Sequence, residues 1–437
     1  MPTSAGPNTK GEENLVFGYD LADVSNSYIG PPSKNQFAYT LSNGYLTNYY
    51  PARATGNENS STNGWGHWGT TGVVGNYGVN TDSNFIYTQG NTYSHYFSAA
   101  SNSTVPYLCY QVLPFEGQQK GSVVAVWGGG NPNNKPRTLT YILKLHDSSE
   151  ITKEKVYPSW NAHVSYYPSP GSSNTSPAGS SGNTQTPWTS ITHIRDGWYK
   201  CVAANFLQSG QNDLTGIYVM PGYTCYIGFA QQEEQPVSTQ LMTGTRSSTQ
   251  GLLDLTGNST IDLTNVSFDS NAQMTFDGSD DYISLGDLGL GAGPFTVSAL
   301  IYPTLASTYH VFFRKGDDGN SNDNMDWSMG YDYNQFHVRA QNASVAVNEY
   351  AGGSFVNSNG YVTLTYDGST MRMYKNDTEV LNKAVVFANG YSNYSIGRGI
   401  NNYANITVRK LSVYNRALTA SEIKSNFNAI KGRFNIL

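Results

Sequence analysis

The stretch GLLDLTGNSTIDLTNVSFDSNAQMTFDGSDDYISLGD (251–287) is the most informative part of the second half of the chain, together with GPFTVSALIYPT (293–304) and VRKLSVYNRALTASEIKSNFNAIKGRF (408–434). Short runs rich in β-branched and aromatic residues alternate apolar with polar positions, which is typical of strands with one buried face. Asp-Gly and Asn-Gly pairs, such as Asp367-Gly368, separate these runs and predict tight hairpin turns. Because such runs recur along the chain with hardly any helical periodicity, the sequence predicts an all-β fold built of sandwiches.

One helix is marked, close to the C-terminus. Thr419 is a suitable N-cap and Glu422 follows three residues later, which is the sequence signature of a capping box. Leu418 and Ile423 have the spacing of the accompanying hydrophobic staple. A single apolar stripe follows at helical spacing, formed by Ile423, Phe427 and Ile430. We expect this short helix to cover one end of a sandwich.

In this order, the three quoted stretches resemble the laminin-G-like (concanavalin A-like) jelly-roll domains of phage virion proteins, especially those of marine phages. The phrase YNRALTASEIKSNFNAIKGRF (414–434) is similar to the ending of that family, and the resemblance extends over residues 251–437. It implies a jelly-roll fold for this half of the chain and a place on a virion. Arg398, in SIGRGINN, resembles the IGR phrase of the family, which implies a structural role on a strand near the sandwich end.

The first half carries a second resemblance. HIRDGWYKCVAANF (193–206), followed by DLTGIYVMPGYTCYIGFAQQEEQ (213–235), looks like the last strands of carbohydrate-binding-module-like jelly rolls. In phage structural proteins, phrases of that kind precede a laminin-G-like domain. Between the strands lies SPGSSNTSPAGSSGNTQTP (169–187), a low-complexity segment that we expect to form a flexible loop because it offers too little apolar surface to bury.

The opening strand suggests an insertion. NLVFGYDLADVSNSYIG (14–30) resembles the first strand of the same laminin-G-like family, in which DLSGN-type sequence follows directly. Here the corresponding DLTGN (254–258) comes only after the first-half module, so we expect residues 14–30 to pair with the C-terminal sandwich. The predicted parts of the chain are an N-terminal arm (1–13), the separated strand (14–30), a carbohydrate-binding-module-like jelly roll (31–240) and a laminin-G-like jelly roll (241–437).

The composition limits the function classes. Hydrophobic residues make up 38% of the chain, which is enough for a core, but charged residues make up only 13%, about half the usual share. The formal net charge of −6 leaves no basic surface for nucleic acid. A surface that is polar yet nearly uncharged suits extracellular or virion proteins.

The cysteines and the terminus also bear on the setting. Cys109, Cys201 and Cys225 lack metal-type spacing, so buried free thiols are expected, with a Cys201–Cys225 disulfide as the alternative. The N-terminal MPTSAGPNTKGEEN has no basic segment followed by an apolar run, and no stretch is long enough to cross a membrane. A protein of this type without a secretion signal fits a virion component that is released by lysis.

No catalytic pattern is present in the sequence. Glycosidases of the concanavalin A-like fold need two carboxylates that flank the scissile bond, and a Glu-x-Asp-x-x-Glu strand supplies them by placing alternate residues on one face. This chain has no such strand, no Gly-x-Ser-x-Gly elbow and no His-Glu-x-x-His motif. The sequence therefore predicts a protein that is not an enzyme.

One loop predicts a calcium site. KGDDGNSNDNMDW (315–327) is rich in carboxylate and amide oxygens, the ligands that Ca²⁺ prefers, although it does not follow the EF-hand pattern. The candidate ligands are Asp317, Asp318, Asp323 and Asp326, and the alternative is a polar hairpin loop. Ca²⁺ is the one cofactor that the sequence suggests. A second acidic run, which we interpret as turn chemistry around Gly278, consists of Asp277, Asp280 and Asp281.

Aromatic clusters predict glycan recognition, because sugar C–H faces stack on rings while amides and carboxylates bind the hydroxyls. The candidates are Trp65 and Trp68 on a Gly-rich loop, Trp327, Tyr331 and Tyr333 in MDWSMGYDYNQFH (325–337), and Tyr391, Tyr394, Arg398 and Tyr403 in NGYSNYSIGRGINNYAN (389–405). Packing on a sheet face is the alternative for the last two groups. A subunit interface would use the first pair equally well.

These observations predict a non-enzymatic phage virion surface protein, either a capsid decoration or head fibre or a tail or baseplate fibre, with potential for glycan binding and host adhesion. Its expected partners are other virion proteins, copies of itself and host-surface glycans, with neither nucleic acid nor membrane insertion. The alternatives are a free or cell-surface bacterial lectin and, less in keeping with the missing carboxylate pair, a glycan depolymerase.

Overall fold

The structure of the protein, a computed structural model, describes most of the second half of the chain and part of the first. The described residues are 13–35, 39–40, 45–46, 58–62, 65–68, 74–80, 82–87, 94–99, 107–112, 136–159, 188–207, 214–242, 244–304, 309–317, 325–340, 343–399 and 402–436. The predicted arm (1–13, apart from Glu13) and the predicted flexible loop (169–187) lie outside them.

The chain forms two compact units. Unit 1 consists of Met1–Pro32 and Arg246–Leu437, and unit 2 consists of Ser33–Thr245. The chain begins with β1 (Leu15–Asp20) in unit 1. The segment from Ser33 to Arg246 contains β2 (Ser33–Lys34), β3 (Tyr39–Thr40), β4 (Tyr45–Leu46), β5 (Glu58–Thr62), β6 (Trp65–Trp68), β7 (Val74–Asn80), β8 (Ser94–Ala99), β9 (Tyr107–Val112), β10 (Pro136–Leu145), β11 (Val156–Ser159), β12 (Ser190–Arg195), β13 (Trp198–Leu207), β14 (Leu214–Val219), β15 (Thr224–Glu233) and β16 (Thr245–Arg246).

The rest of unit 1 follows in a single run of strands that ends in a helix. These elements are β17 (Ser267–Phe268), β18 (Met274–Asp277), β19 (Ile283–Asp287), β20 (Phe295–Pro303), β21 (His310–Gly316), β22 (Met325–Asp332), β23 (Gln335–Ala340), β24 (Val347–Ala351), β25 (Gly360–Tyr366), β26 (Thr370–Lys375), β27 (Thr378–Ala384), β28 (Asn393–Ile396), β29 (Asn405–Tyr414) and α1 (Ala420–Lys431). No helix among the described residues is long and apolar enough to cross a membrane.

Unit 1 is a sandwich of two antiparallel sheets. The first has the order β17-β18-β29-β20-β25-β26-β27, with β1 paired to β29 as its eighth strand. The second has the order β19-β28-β21-β22-β23-β24. Alternate residues of both sheets form one apolar core, with Val297 and Leu364 from the first sheet and Met329 and Ile396 from the second. The period-two alternation in the sequence therefore corresponds to one inward and one outward face in each sheet.

The separated first strand lies in unit 1. β1 runs antiparallel to β29, with Phe17 opposite Val413 and Asp20 opposite Lys410. The DLTGN segment holds it there, because Asp254 Oδ1 accepts the Gly18 N–H at 3.0 Å and the Leu255 N–H donates to the Gly18 carbonyl at 2.8 Å. Backbone pairing and one buried carboxylate therefore hold β1 in its sandwich, although all of unit 2 lies between them in the sequence.

Helix α1 forms as its sequence signature indicates. The Thr419 hydroxyl accepts the Glu422 N–H while the Glu422 carboxylate accepts the Thr419 N–H, which completes the capping box. Leu418 and Ile423 pack in one cluster as the staple. The sequence suggested that this stripe would cover the end of the sandwich, and this expectation is wrong. Phe427 and Ile430 instead pack on Leu300 and Tyr361, which belong to the outward face of the eight-stranded sheet.

Unit 2 also contains two antiparallel sheets. Their orders are β12-β13-β10-β15-β8-β7 and β11-β14-β9-β6-β5, and both contribute to one core that includes Tyr141, Ile227 and Ile217. The DGW phrase forms the β12–β13 hairpin, in which Asp196 (φ 51°) and Gly197 (φ 77°) adopt the left-handed conformations that a two-residue turn of this hand needs. The likeness to carbohydrate-binding modules stays a prediction.

Polar residues of the phrase FAQQEEQ (229–235) bind the last segment of unit 2. Glu233 is fully buried, and its carboxylate accepts hydrogen bonds from the Thr239 N–H and hydroxyl, while Gln231 Oε1 accepts the Met242 N–H at 2.7 Å. These hydrogen bonds hold the segment after β15 against that strand. Unit 2 therefore extends to Thr245, rather than ending at the expected residue 240. Cys201 and Cys225 are buried free thiols, as expected, and the alternative disulfide is absent.

Candidate functional site

The predicted aromatic candidates on β22 and β28 belong to the core of unit 1. Trp327, Tyr331 and Tyr394 are each at most 1% exposed. Trp327 stacks on Phe295 with the ring centroids 4.6 Å apart, and the Tyr331 hydroxyl accepts the Phe355 N–H. The prediction that these three residues bind glycans is therefore wrong. They occupy the inward positions of the pleat, where burying a large ring stabilises the sandwich.

The other aromatic candidates are less completely described. Tyr391 is half-buried, and its N–H donates to Asp326 Oδ2 at 3.2 Å. Trp65 and Trp68 begin and end strand β6 instead of lying on a loop, and their side chains lie outside the described residues. A glycan-binding role for these three residues stays a prediction.

The predicted calcium loop is closed at its base by a buried ion pair. Lys315 Nζ lies 3.4 Å from Asp326 Oδ2, and these two side chains are 2% and 0% exposed. The same ammonium donates to the Gly291 carbonyl at 3.0 Å and to Asn389 Oδ1 at 2.5 Å. Asp326 is therefore a structural residue whose counterion is a lysine, and its assignment as a calcium ligand is wrong.

The remaining calcium candidates are only partly described. Asp317 accepts a hydrogen bond from the Asn393 amide through Oδ1, and its carbonyl accepts from the buried Arg314 guanidinium at 2.9 Å. Asp318 and Asp323 lie outside the described residues. A calcium site at this loop stays a prediction that has lost one of its four ligands.

The second acidic run brings three carboxylates together. The oxygen atoms of Asp277, Asp280 and Asp281 lie within 4.8 Å of one another. Asp281 Oδ2 accepts the Asp277 N–H and Asp277 Oδ1 accepts the Ser279 N–H, both at 2.7 Å. Gly278, at φ 89°, provides the left-handed turn position. These contacts are those of a strand-turn-strand connection, in keeping with the interpretation of the sequence.

A different set of aromatic residues lies on the outward face of the six-stranded sheet. We call Tyr309, His337, Tyr350 and Tyr333 the aromatic row. The rings of Tyr309 and His337 meet edge to face with centroids 5.0 Å apart, and His337 stacks on Tyr350 at 4.3 Å. Tyr350 in turn meets Tyr333 edge to face at 5.8 Å. Exposure increases along the row from His337, which is 2% exposed, to Tyr333, which is 68% exposed.

The exposed end of the row is a strained hairpin. Tyr333 and Asn334 are the two turn residues between β22 and β23, and their φ angles are 45° and 66°. Turns of this hand require positive φ at both positions, which Asn and Gly adopt readily. A tyrosine in this conformation costs roughly 1–2 kcal/mol, and burial cannot offset the cost because the ring is mostly in solvent. Strain of this kind is concentrated at functional sites.

Polar groups beside the row are mostly acceptors. Asp332 is 8% exposed, and its Oδ1 accepts the Tyr333 N–H at 2.9 Å while its Oδ2 accepts the Tyr350 hydroxyl at a long 3.4 Å. His337 Nε2 meets Asn348 Oδ1 at 2.9 Å, and the buried Nδ1 of this histidine has no hydrogen-bond partner. Arg339 lies on the same face of β23, two residues beyond His337.

Burial and the Asp332 charge tune the acid–base properties of the row. Desolvation lowers the pKa of His337, although the hydrogen bond to Asn348 and the charge of Asp332 oppose the shift. Burial raises the pKa of the Tyr350 hydroxyl, and the negative charge of Asp332 raises it further. Desolvation therefore favours the neutral forms of both His337 and Tyr350.

The sequence pattern identified Tyr333 as an aromatic candidate but grouped it with Trp327 and Tyr331, and it did not indicate the other members of the aromatic row. In YDYNQF (331–336), Tyr331 and Tyr333 have the same parity, and period-two reasoning places both on one face of a strand. The strand ends at Asp332, so Tyr333 belongs to the turn and leaves the pleat. The available signal was Asn334, since an asparagine between two alternating runs is typical of a left-handed turn position.

Comparison with known proteins supports the fold of this half of the chain. Residues 277–424 match the laminin-G-like family described as the concanavalin A-like lectin/glucanases superfamily. The predicted all-β fold with a C-terminal concanavalin A-like domain is confirmed. A search of curated protein sequences finds no match to the chain.

Solved structures with partial likeness include the binding domain of Paraclostridial Mosquitocidal Protein 1, which is 16% identical with a TM-score of 0.33 over 40% of this chain and 48% of that one. The binding domain of Botulinum neurotoxin DC in complex with rat synaptotagmin II is 15% identical with a TM-score of 0.33, over 42% and 50%. The Botulinum Neurotoxin Type G receptor binding domain is 13% identical with a TM-score of 0.33, over 42% and 49%. The chain thus spans about half the length of each of these structures.

Proposed function

We propose that this chain is a non-enzymatic surface protein of a phage virion, and that its C-terminal domain binds glycans at the exposed end of the aromatic row. The capsid decoration or head fibre and the tail or baseplate fibre are the two positions that such a protein would occupy. Other virion proteins and copies of the same chain would be its partners on the particle, and host-surface glycans would be its ligands.

The observation that carries the glycan-binding part is the conformation of Tyr333. Its side chain is 68% exposed, and its backbone is left-handed at φ 45°. Asn or Gly at this turn would stabilise the hairpin, so a tyrosine is a costly choice for the fold alone. A ring held out in solvent by a rigid two-residue turn is a platform for stacking the apolar face of a sugar.

The surroundings of Tyr333 add the polar half of a glycan site. Asp332 and the exposed Asn348 present a carboxylate and an amide next to the Tyr350 ring. Sugar hydroxyls both donate and accept hydrogen bonds, so such groups fix the orientation of a ring that stacking alone leaves free. The site is built mainly on strands β22, β23 and β24 of one sheet, which holds its parts in register.

Glycan binding is tested by titrating the full chain with purified polysaccharide from the host cell surface. We expect Tyr333→Ala to weaken binding about tenfold or more, because a stacking ring at the centre of a site contributes on the order of 1–2 kcal/mol. Tyr302→Ala is the matched control, since Tyr302 is a half-buried tyrosine on β20 of the other sheet. Equal binding by the wild type and Tyr333→Ala would refute this site.

The virion part is tested by immunogold electron microscopy of intact particles, with antibody raised to residues 251–437. Label on the capsid would support a decoration or head fibre, and label at the tail tip would support receptor recognition. Particles without label would overturn the virion assignment and favour a free lectin, whether or not the glycan titration succeeds.

A further inference from the structure

We infer that the glycan bound at the aromatic row carries an anionic group, and that Arg339 binds this group. The inference rests on the proposed glycan-binding function and narrows its ligand to an acidic polysaccharide. Three features of the outward face of the six-stranded sheet carry it: an arginine without a partner, an exposed amide directly opposite that arginine, and the distance between the arginine and the Asp332 carboxylate.

The first feature is the contrast between two arginines on this face. Five residues, which we call the polar row, lie opposite one another on neighbouring strands: Ser395, Arg314, Ser328, Arg339 and Asn348. The Arg314 guanidinium is fully buried, and it donates to Ser395 Oγ at 3.0 Å and to two backbone carbonyls at 3.0 and 2.9 Å. Arg339 is half-buried, and its guanidinium has neither a hydrogen bond nor an ion pair within the part of the chain that the structure describes. The fold therefore satisfies one arginine of the polar row and leaves the N–H donors of the other to a ligand.

The second feature is the amide next to Arg339. Asn348 lies directly opposite Arg339 on β24 and is exposed, and opposite side chains on one face of such a pair have Cβ atoms roughly 5 Å apart. Asn348 Oδ1 meets His337 Nε2 at 2.9 Å, so the N–H end of the amide faces away from the histidine. A guanidinium beside a donor amide presents several N–H groups to one ligand group. Such a surface complements the oxygens of a carboxylate, sulfate or phosphate.

The charges around Arg339 do not neutralise it. The Arg339 charge acts on the hydroxyl of Tyr309 and on His337, which are aromatic groups without a negative charge in their neutral forms. Glu349 is the next residue after Asn348 on β24, but it points to the other face and pairs with Lys383 at 2.5 Å. An anion on the ligand would therefore be the first partner of this guanidinium.

The third feature is the distance between the two charged ends of the face. Gln335 is opposite Asp332, and the four residue steps from Gln335 to Arg339 correspond to about 13 Å along β23. A negatively charged sugar is disfavoured beside Asp332 and favoured beside Arg339. The sugar that stacks on Tyr333 and the sugar that carries the anion are therefore different residues of one chain. The face fits an acidic polysaccharide whose repeat also contains neutral sugars.

The net charge of the whole chain makes such a preference diagnostic. At −6, the chain repels polyanions in general, so nonspecific attraction cannot favour an acidic glycan over its neutral form. A preference for the acidic form would have to come from a local cation, and Arg339 is the one that lies on the face of the aromatic row without a partner among the described residues.

The test titrates the full chain with the host polysaccharide in three forms: untreated, with its carboxyl groups reduced to hydroxymethyl groups, and with its sulfate and phosphate esters removed. We expect one treatment to weaken binding about tenfold, because it removes one charge-assisted interaction, and that treatment identifies the anion. Arg339→Gln should weaken binding of the untreated polysaccharide by a similar factor and should bind all three forms alike. Glutamine retains hydrogen-bond donors but lacks the charge.

Two further variants complete the test. Arg409→Gln is the matched control, since Arg409 is a half-buried arginine on β29 of the other sheet, where it packs on the Tyr302 ring. It should retain the preference of the wild type. Arg339→Lys keeps the charge but not the planar fork, so its affinity should lie between those of the wild type and Arg339→Gln. This variant also tests the inference if glutamine at this position prevents folding.

The outcomes separate this inference from the proposed function. Equal binding of all three forms by the wild type, with Tyr333→Ala weakening each of them, would overturn the anion specificity and leave glycan binding intact. A preference for the untreated form that persists in Arg339→Gln would show that the anion is bound elsewhere, and would also overturn the inference. An untreated polysaccharide that does not bind the wild type, or that binds Tyr333→Ala equally well, would refute the proposed function and this inference with it.

Discussion

Strand β22 has a buried carboxylate at each end, and the two differ in what neutralises them. Asp326, near its start, faces the Lys315 ammonium and accepts the N–H groups of Gly390 and Tyr391. Asp332, at its end, has no such cation among the described residues and is followed by an exposed tyrosine. A carboxylate neutralised by its own chain belongs to the scaffold, whereas Asp332 can be replaced without leaving a buried cation of the described residues unpaired.

The rings along the same strand show a parallel contrast. Trp327 and Tyr331 point inward and fill the core, while Tyr333, two residues further, is held in solvent by the turn. The difference is positional, because each inward site on a strand is fixed by the pleat and a turn residue is free of it. Residues of one chemical type therefore stabilise the fold at one place and present a binding surface at the next.

The largest expected effect separates the two carboxylates. Asp326→Asn should reduce the free energy of unfolding by about 3–5 kcal/mol, because the buried Lys315 would lose its counterion. Asp332→Asn should change it by about 1 kcal/mol or less, since no buried cation depends on it. Urea unfolding of both variants and the wild type measures the two values. Equal losses would show that Asp332 contributes as much to the stability of the fold as Asp326, and would contradict the distinction between the two carboxylates.

A smaller effect of opposite sign is expected at the turn. Tyr333→Gly should raise the free energy of unfolding by roughly 1–2 kcal/mol, because glycine adopts the left-handed conformation without a steric cost, while glycan binding is lost. Tyr333→Asn is the companion variant, since asparagine tolerates the conformation but offers no ring. Thermal unfolding and glycan titration measure the two consequences. Lower stability in both variants would mean that the tyrosine is there for packing against Tyr350.

The smallest effect concerns pH. Desolvation lowers the pKa of His337, so the folded protein binds fewer protons at this residue than the unfolded chain does. The free energy of unfolding should therefore fall as the pH drops below about 6.5, the value in an unfolded chain, and level off below the folded pKa. The groups that act on His337 are Asn348, Asp332, Arg339 and Glu349, with Tyr309 and Tyr350 against its ring.

His337→Gln should remove part of this loss, since glutamine can still donate to Asn348 and does not titrate. Urea unfolding at about pH 7.5 and pH 5 measures the loss in each protein. Desolvation also lowers the pKa of His310, which follows Tyr309 and is likewise acted on by the charge of Asp332, so His310→Gln serves as the comparison variant outside the ring stack. If the free energy of unfolding of His337→Gln fell as much on acidification as that of the wild type, other residues would be responsible for the acid sensitivity.

Local sequence patterns were sufficient for the fold class and for the C-terminal helix. Thr419, Glu422, Leu418 and Ile423 act within one turn of the chain, and the contacts that they make follow from their spacing alone. The face that α1 covers did not follow, because it depends on Leu300 and Tyr361, which the fold brings from two other strands. The resemblance did predict that residues 14–30 pair with the C-terminal sandwich, and contacts between distant segments set the partner strand β29 and its register.

The all-β fold, the laminin-G-like ending and the capped helix followed from local patterns, because alternation, turn residues and caps act over a few residues. Which aromatic residues are buried and which carboxylate has a counterion depended on the folded arrangement of the chain. Trp327 lies at an inward position of a strand, whereas Tyr333 lies in a turn. Asp326 faces a lysine on the neighbouring strand, whereas Asp332 faces none among the described residues. Composition and spacing cannot separate such residues, since burial and charge pairing are properties of the three-dimensional neighbourhood.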